Sequence, residues 1–186
     1  MIRNGAPPKH TITALVQDKP GVLNRISNMF RRRGFNIASL AVGRSEEPNL
    51  SRMTFVVEGD DRIVEQVTKH LHKLIDVIKV SDISSENIIS RELALIRVKA
   101  NVQSRSEIMQ IVDIFRANIV DMAAESLIVE VNGDEDKVDS LHDLLKTFGV
   151  LEVMRTGTIA LNRGVGVGPT RQGAKAAETW GESSSI

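Results

Sequence analysis

The chain of 186 residues has no cysteine and no tyrosine, and aromatic residues make up only 3% of it. The lack of cysteine excludes disulfide scaffolds, thiol nucleophiles and cysteine-ligated metal sites. The scarcity of aromatic side chains argues against a surface that stacks nucleic-acid bases or sugars. Basic residues number 24 and acidic residues also number 24, so the basic excess that is typical of nucleic-acid-binding proteins is missing.

Long apolar runs are missing as well. No segment reaches the roughly 20 apolar residues that a membrane-spanning helix needs. The N-terminal sequence MIRNGAPPKH lacks the apolar stretch of a signal peptide. Because 41% of the residues are hydrophobic and 26% are charged, the composition is that of a globular protein. We therefore expect a cytoplasmic protein.

The first eighty residues predict the element order β-α-β-β-α-β. The β-branched run HTITALV predicts a first strand, and the apolar spacing that begins at Val22 predicts a helix that ends at Gly34. Two further strands follow, over about residues 36–43 and 51–58. Asp60 and Asp61 open a second helix, since acidic residues favour a helix N-terminus. The run DVIKVSDI closes the unit with a strand.

The same order of elements recurs in the second half of the chain. RELALIRVKANV predicts a strand, SRSEIMQIVDIFRAN a helix, and NIVDMAAE and SLIVEVNG two short strands. The run DEDKVDSLHDLLKTFG predicts a helix with five inward-facing residues, which are Val138, Leu141, Leu144, Leu145 and Phe148. VLEVMRTGTIALNR predicts a single last strand. The repeat lies in the pattern and not in residue identity.

These patterns predict an α+β fold of two tandem ferredoxin-like βαββαβ units. We expect a flexible N-terminus over residues 1–8, units over 9–84 and 91–163, and a linker over 85–90. Residues 164–186, which include Trp180, are rich in Gly, Ala and Ser and predict a disordered tail. Units of this size have small cores and open sheet edges, so we expect a dimer or a larger assembly.

The turn DKPGVL is the first candidate binding element. Free amides at a helix N-terminus favour an anion, and Gly21 lets a ligand approach the backbone closely. Asp18 could accept from an ammonium group, and the amide of Asn36 can both donate and accept. Together these groups could hold a small zwitterion. On spacing alone, however, a plain Pro-Gly turn with an Asp helix cap is the more common explanation.

Two other features have simpler explanations than a functional site. The run RRRGFNI could contact nucleic acid, but a solvated helix end or a partner contact fits the balanced charge better. The four histidines do not have the spacing of a metal site, because His70 and His72 lie two residues apart on a helix and point to different faces.

The motifs DKPGVLNRI, RRRGFNIASLAVG, NLSRMTF and LHKLIDVIKV resemble the small regulatory subunit of acetohydroxyacid synthase, also called acetolactate synthase. RELALIRVKA, IFRANIVD and EVMRTGTIALNRG extend the resemblance to about Gly164. It implies that residues 9–84 form an ACT domain, a ferredoxin-like module that binds amino acids and dimerises. Its motifs are far more specific than the Pro-Gly turn alone.

The resemblance also implies a set of contacts for a branched-chain amino acid, commonly valine, between two ACT domains of a dimer. Asp18 matches a family position that is often Asn or Asp, and Gly21 and Asn36 match a family glycine and asparagine. The amides of Val22 and Leu23 would meet the carboxylate of the effector, and Ile37 would lie near the pocket. No catalytic residue and no metal ligand is expected.

The family resemblance implies a non-catalytic subunit in branched-chain amino acid biosynthesis. Such a subunit binds and activates the catalytic (large) subunit and confers feedback inhibition by valine, leucine or isoleucine. Thiamine diphosphate, magnesium and FAD would belong to that partner, and this chain would carry no cofactor of its own. Two other classes stay open: an acylphosphatase-like hydrolase, although DKPGV lacks the arginine of such a loop, and a free-standing ACT-type sensor.

Overall fold

The N-terminal half of the chain folds as a four-stranded sheet with two helices on one face. The computed structural model describes residues 7–164. Its strands are β1 (Lys9–Gln17), β2 (Ile37–Arg44), β3 (Leu50–Glu58) and β4 (Val77–Asp82), and its helices are α1 (Val22–Arg33) and α2 (Asp61–Leu71). All six elements were predicted, with bounds that differ by one or two residues except at the end of α2.

The antiparallel sheet of this first unit has the strand order β2-β3-β1-β4, so β2 and β4 are its edges. Alternate residues of β1, such as Ile12 and Val16, face the helices, as the period of two in a strand requires. They form one core with Phe30 of α1, which stacks on Phe55 of β3 with 5.4 Å between the ring centroids. The opposite face of the sheet carries Thr13, Leu15 and the other odd-numbered residues of β1.

The second half repeats this architecture. Its strands are β5 (Ile88–Lys99), β6 (Asn118–Met122), β7 (Ser126–Gly133), β8 (Val150–Arg155) and β9 (Ile159–Asn162). Its helices are α3 (Arg105–Ile114) and α4 (Glu135–Leu145), and a short 3-10 turn follows over Lys146–Phe148. Four strands pair in the order β6-β7-β5-β8, and a separate core fills the space under α3 and α4. The predicted α+β class and the tandem βαββαβ units are confirmed.

Three details differ from the sequence prediction. Residues 88–90 of the expected linker belong to β5, because Ile88–Arg91 pairs with β9. The expected single last strand is divided into β8 and β9 at Gly157, which adopts a positive φ of 82°. Leu144 of α4 was predicted to face inward but is 45% exposed, since the buried positions of this helix are Val138, Leu141 and Leu145. Residues 1–6 and 165–186, with the predicted tail and Trp180, lie outside the described residues.

The segment Thr156–Thr158, called the crossing segment below, carries the chain of the second unit onto the first. The backbone N–H of Thr158 donates to Oγ of Ser39 on β2 at 2.8 Å. A methyl group added at Gly157 would lie 2.8 Å from the carbonyl oxygen of Leu40. Lys9 of β1 also forms an ion pair with Glu135 of α4. The two units are therefore joined by packed backbone and by charge.

The charged residues are divided unequally between the units. Residues 7–84 contain twelve basic residues (Lys and Arg) and nine acidic residues (Asp and Glu). Residues 85–164 contain nine basic and thirteen acidic residues. The formal net charge of the whole chain is nevertheless zero. The first unit is thus basic and the second acidic.

Candidate functional site

The turn between β1 and α1 presents backbone amides at the start of a helix. Gly21 occupies the N-cap position with φ 89° and ψ −10°, a left-handed conformation that glycine adopts at little cost. No side chain caps the helix, so Asp18 does not play the capping role that the sequence allowed. Within the described residues, the amides of Leu23 and Asn24 have no acceptor, while that of Val22 makes a long 3.4 Å bond to Lys19. Such amides, with the helix dipole, favour an anion.

The side chains around this turn have distinct environments. The side chain of Asp18 is about half exposed, and its Oδ2 lies 4.0 Å from Nε of Arg44 at the end of β2. Val22 is 4% exposed and belongs to the core, so it can offer a ligand only its backbone. Leu23 is 46% exposed and presents an apolar surface beside the amides. The turn therefore combines a carboxylate, a cation, free amides and an apolar side chain.

Asn36 and Ile37 stand at the beginning of β2. Nδ2 of Asn36 donates to Oε2 of Glu58 at 2.9 Å, and the residue is exposed. Ile37 is partly buried and packs against the core of the first unit. Asn36 keeps its amide oxygen available, because the hydrogen bond to Glu58 uses only the nitrogen.

The structure does not bring all six predicted residues together within one chain. Gln17 pairs with Leu50 at one end of the sheet, whereas Ile37 pairs with Val57 at the other end. The 12-residue helix α1 separates the two groups, and its length is about 18 Å. Asp18, Gly21, Val22 and Leu23 thus form one cluster, and Asn36 and Ile37 form another.

Two residues near the turn were missed by the sequence reasoning. Nη1 of Arg25 on α1 lies 2.5 Å from Oδ2 of Asp76, whose side chain is 12% exposed. The carbonyl of Asp76 also accepts from the amide of Gln17 at 2.8 Å. Asp76 therefore ties the start of α1 to the end of β1 and fixes the shape of the turn. No local spacing signals this pair, because Arg25 and Asp76 are distant in sequence.

Other kinds of site find no support in the part of the chain that the structure describes. Within residues 7–164, no group of three or more His, Asp or Glu side chains could hold a metal ion. Over the same residues, no helix has the length and hydropathy to cross a membrane.

The duplicated ferredoxin-like fold, with an amide-lined turn at the head of its first helix, defines a protein of the ACT-domain class. Residues 12–79 match the family model described as the AHAS small subunit-like ACT domain, and residues 91–164 match the model of the small subunit of acetolactate synthase. The chain belongs to the acetolactate synthase small-subunit family.

Individual relatives agree with this assignment. A probable acetolactate synthase small subunit of Archaeoglobus fulgidus is 57% identical over 84% of this chain and 98% of its own length. The acetolactate synthase small subunit of Mycobacterium leprae is 50% identical over 88% of this chain and 98% of its own length. The crystal structure of the Thermotoga maritima small subunit superposes with a TM-score of 0.77 at 43% identity, over 84% of this chain and 98% of that one.

Proposed function

We propose that this chain is the regulatory subunit of an acetolactate synthase. It binds and activates the catalytic large subunit and makes that enzyme sensitive to valine or a related branched-chain amino acid. The thiamine diphosphate, magnesium and FAD of the reaction are held by the catalytic subunit, and this chain contributes no catalytic group. The complex acts in the cytoplasm, in branched-chain amino acid biosynthesis.

The observation that carries this proposal is the turn before α1, where the amides of Leu23 and Asn24 have no acceptor among the described residues; Asn36 lies in a separate cluster of the same chain. A complete amino-acid site needs the turn of one copy and Asn36 of another. The edge strand β2 makes this possible, because two β2 strands that pair antiparallel bring the beginning of one beside the end of the other. Arg44, which neighbours Asp18, stands at that end. A homodimer would then hold two equivalent sites, as two-fold symmetry requires.

Each part of the amino acid has a partner in this arrangement. The amides at the head of α1 bind its carboxylate, and Asp18 together with the amide oxygen of Asn36 binds its ammonium group. The exposed side chain of Leu23 and the neighbouring Ile37 contact its aliphatic group. The effector therefore binds only the dimer in which both clusters meet, and it stabilises that arrangement over others.

The first experiment measures the activity of the cognate catalytic subunit with and without this chain, across a titration of valine. Activation that valine reverses supports both the partner and the regulatory role. Activation without sensitivity to valine retains the partner but refutes valine as the effector; leucine and isoleucine are then titrated in the same assay. If the folded chain causes no activation, the proposal fails, and a free-standing ACT sensor becomes the better explanation.

A substitution at Gly21 tests the position of the site. A Cβ at this position would meet no atom within 4 Å, so a side chain has room in the monomer and enters the ligand space; it is strained only by the left-handed backbone, φ 89°. We expect Gly21→Asp to abolish inhibition by valine and to leave activation intact, because its carboxylate repels that of the effector. Gly21→Asn is the matched control, since it has the same shape and the same left-handed backbone but no charge. Equal valine sensitivity of the Gly21→Asp variant and the wild type would refute this site.

The role of Asn36 is tested by calorimetry on the chain alone. We expect Asn36→Ala to weaken valine binding by about 1–3 kcal/mol, the usual effect of leaving a polar partner unpaired. Glu58→Gln is the control, because it alters the internal partner of Asn36 without removing the amide. Unchanged valine affinity in Asn36→Ala would exclude this residue as a contact.

The hydrolase alternative is tested separately with the purified chain. An acylphosphatase-like enzyme would release phosphate from acyl phosphates without any partner. We expect no turnover, since the turn from Asp18 to Leu23 contains no arginine to hold a phosphoryl group. Turnover that Gly21→Asp abolishes would overturn the regulatory proposal.

A further inference from the structure

A cleft of about 240 Å³ lies between the first sheet and β9, on the face of that sheet opposite its helices. Its lining on the sheet side includes Thr13, Leu15, Arg52, Lys79 and Ser81. The second unit closes it with residues Ala160 to Asn162 of β9. The cleft is therefore formed by both units and is separate from the turn that precedes α1.

Strand pairing fixes the arrangement of the polar groups in this cleft. Leu15 of β1 pairs with Arg52 on one side and with Lys79 on the other. The two cations consequently flank Leu15 in one row across three strands, with Cα atoms about 10 Å apart. In the next row, Thr13 pairs with Ser81, which places two hydroxyl groups beside the cations. Asn162, a residue with an amide side chain, lines the opposite wall.

The cleft has a clear excess of positive charge and of hydrogen-bond donors. None of its described lining residues is acidic. Arg52 uses one nitrogen to bind Glu46 at 2.5 Å, which leaves its other N–H groups available. Among residues 7–164, Lys79 forms no ion pair, and neither its ammonium group nor the hydroxyl of Ser81 has a side-chain hydrogen-bond partner. Lys79 is thus the cation of this row that lacks an acidic partner among the described residues, and an anion held in the cleft would satisfy both it and the remaining N–H groups of Arg52.

We propose that this cleft binds a small polyvalent oxyanion of the phosphate class, bridged between Arg52 and Lys79. The guanidinium group of Arg52 matches the geometry of a phosphate, and the ammonium group of Lys79 supplies a second charge. Ser81 and Asn162 donate to the remaining oxygens. Because β9 forms one wall, the anion also fastens the second unit to the first. This site does not depend on the proposed regulation by valine.

The test is isothermal titration of the full chain with pyrophosphate at constant ionic strength. We expect saturable binding of one pyrophosphate per chain. Lys79→Gln and Arg52→Gln should each weaken it by about tenfold to a hundredfold, the usual effect of losing a charge-assisted hydrogen bond. Both residues lie at the surface, so these variants should keep the circular dichroism of the wild type.

Matched controls come from the corresponding face of the second sheet. Nε of Arg97 lies 3.4 Å from Oε2 of Glu152, and this ion pair corresponds to that of Arg52 with Glu46. Lys99 lies two residues further along the same strand. We expect Arg97→Gln and Lys99→Gln to leave pyrophosphate binding unchanged. Equal losses in these controls would show unspecific attraction to positive charge and would overturn the proposal. A wild-type chain that shows no saturable heat would overturn it as well.

Discussion

Replacement of Gly157 by alanine should loosen the contact between the two units. The added methyl group would lie 2.8 Å from the carbonyl oxygen of Leu40 and 3.0 Å from Oγ of Ser39. Real Cβ atoms essentially never come so close to a backbone oxygen, so the crossing segment must move away from β2. The residue also has φ 82°, a conformation that disfavours any side chain.

The magnitude of the effect follows from these two contributions. The left-handed backbone costs about 1–2 kcal/mol for a residue with a Cβ atom. Overpacking costs typically about 1–3 kcal/mol. We therefore expect Gly157→Ala to lower the free energy of unfolding by about 2–5 kcal/mol, measured by urea denaturation.

Gly34 provides the control for the backbone contribution. It has φ 68°, and a methyl group there would meet no atom within 4 Å. Gly34→Ala should therefore cost only the conformational part, about 1–2 kcal/mol. If Gly157→Ala is no more destabilising than Gly34→Ala, the argument from close packing between the units is refuted.

Hydrogen exchange locates the effect of Gly157→Ala. The amide of Thr158 donates to Ser39 in the wild type, so its protection should fall in Gly157→Ala. Ser39→Ala should also reduce this protection, because it removes the acceptor. The two substitutions act on one contact, and their effects on unfolding should therefore not add. Simple additivity would show that Gly157 and Ser39 stabilise the protein independently.

Two other predictions concern stability. Burial raises the pKa of Glu92 above its ordinary value of 4.5, against the opposing charge of Arg155, so the folded state binds a proton more readily than the unfolded state. Relative to Glu92→Gln, the wild type should lose stability as the pH rises from about 4.5 through this raised pKa. Urea denaturation at several pH values measures this. A difference in unfolding free energy between the two proteins that does not change with pH would contradict the burial argument. Asp60 accepts from the amide of Ile63 at 3.0 Å, so Asp60→Ala should cost about 0.5–2 kcal/mol in thermal unfolding, while Asp60→Asn should retain most of the cap. Equal losses in both Asp60 variants would indicate that the charge, and not the cap, stabilises α2.

The sequence predicts those features that depend on local pattern. The apolar spacing from Val22 to Phe30 identifies α1, and Gly34 marks its end because it can adopt a left-handed conformation. The acidic residues Asp60 and Asp134 mark the starts of α2 and α4, and each accepts a backbone hydrogen bond there. Local pattern therefore suffices for the order of helices and strands.

Features that depend on distant pairing are not visible in the sequence. The residues Ile88 to Ser90 resemble a linker, but β9 pairs with them from about seventy residues further along the chain. Gly157 interrupts an otherwise continuous strand pattern. At this residue the chain passes so close to β2 that a Cβ atom would collide with the carbonyl oxygen of Leu40, and the local sequence does not show this contact. Leu144 follows the helical spacing and yet lies on the border of the buried face of α4.

The predicted site shows the same limit. The turn residues Asp18 to Leu23 could be recognised together because they are contiguous in sequence, and they lie together at the start of α1. The distance of Asn36 from the turn follows from the length of α1, which runs back along the sheet and ends at the opposite end of the strands. Whether Asn36 meets the turn of another copy stays a prediction.

The unequal division of charge between the units has a consequence for how this molecule moves near others. A basic first half and an acidic second half give a chain of zero net charge a permanent dipole moment. The molecule will therefore turn in the field of a charged surface before it touches that surface. At low ionic strength and near neutral pH, the protein should bind to both cation-exchange and anion-exchange resins. Salt should abolish both kinds of retention, because it screens the field beyond about 10 Å at 0.1 M.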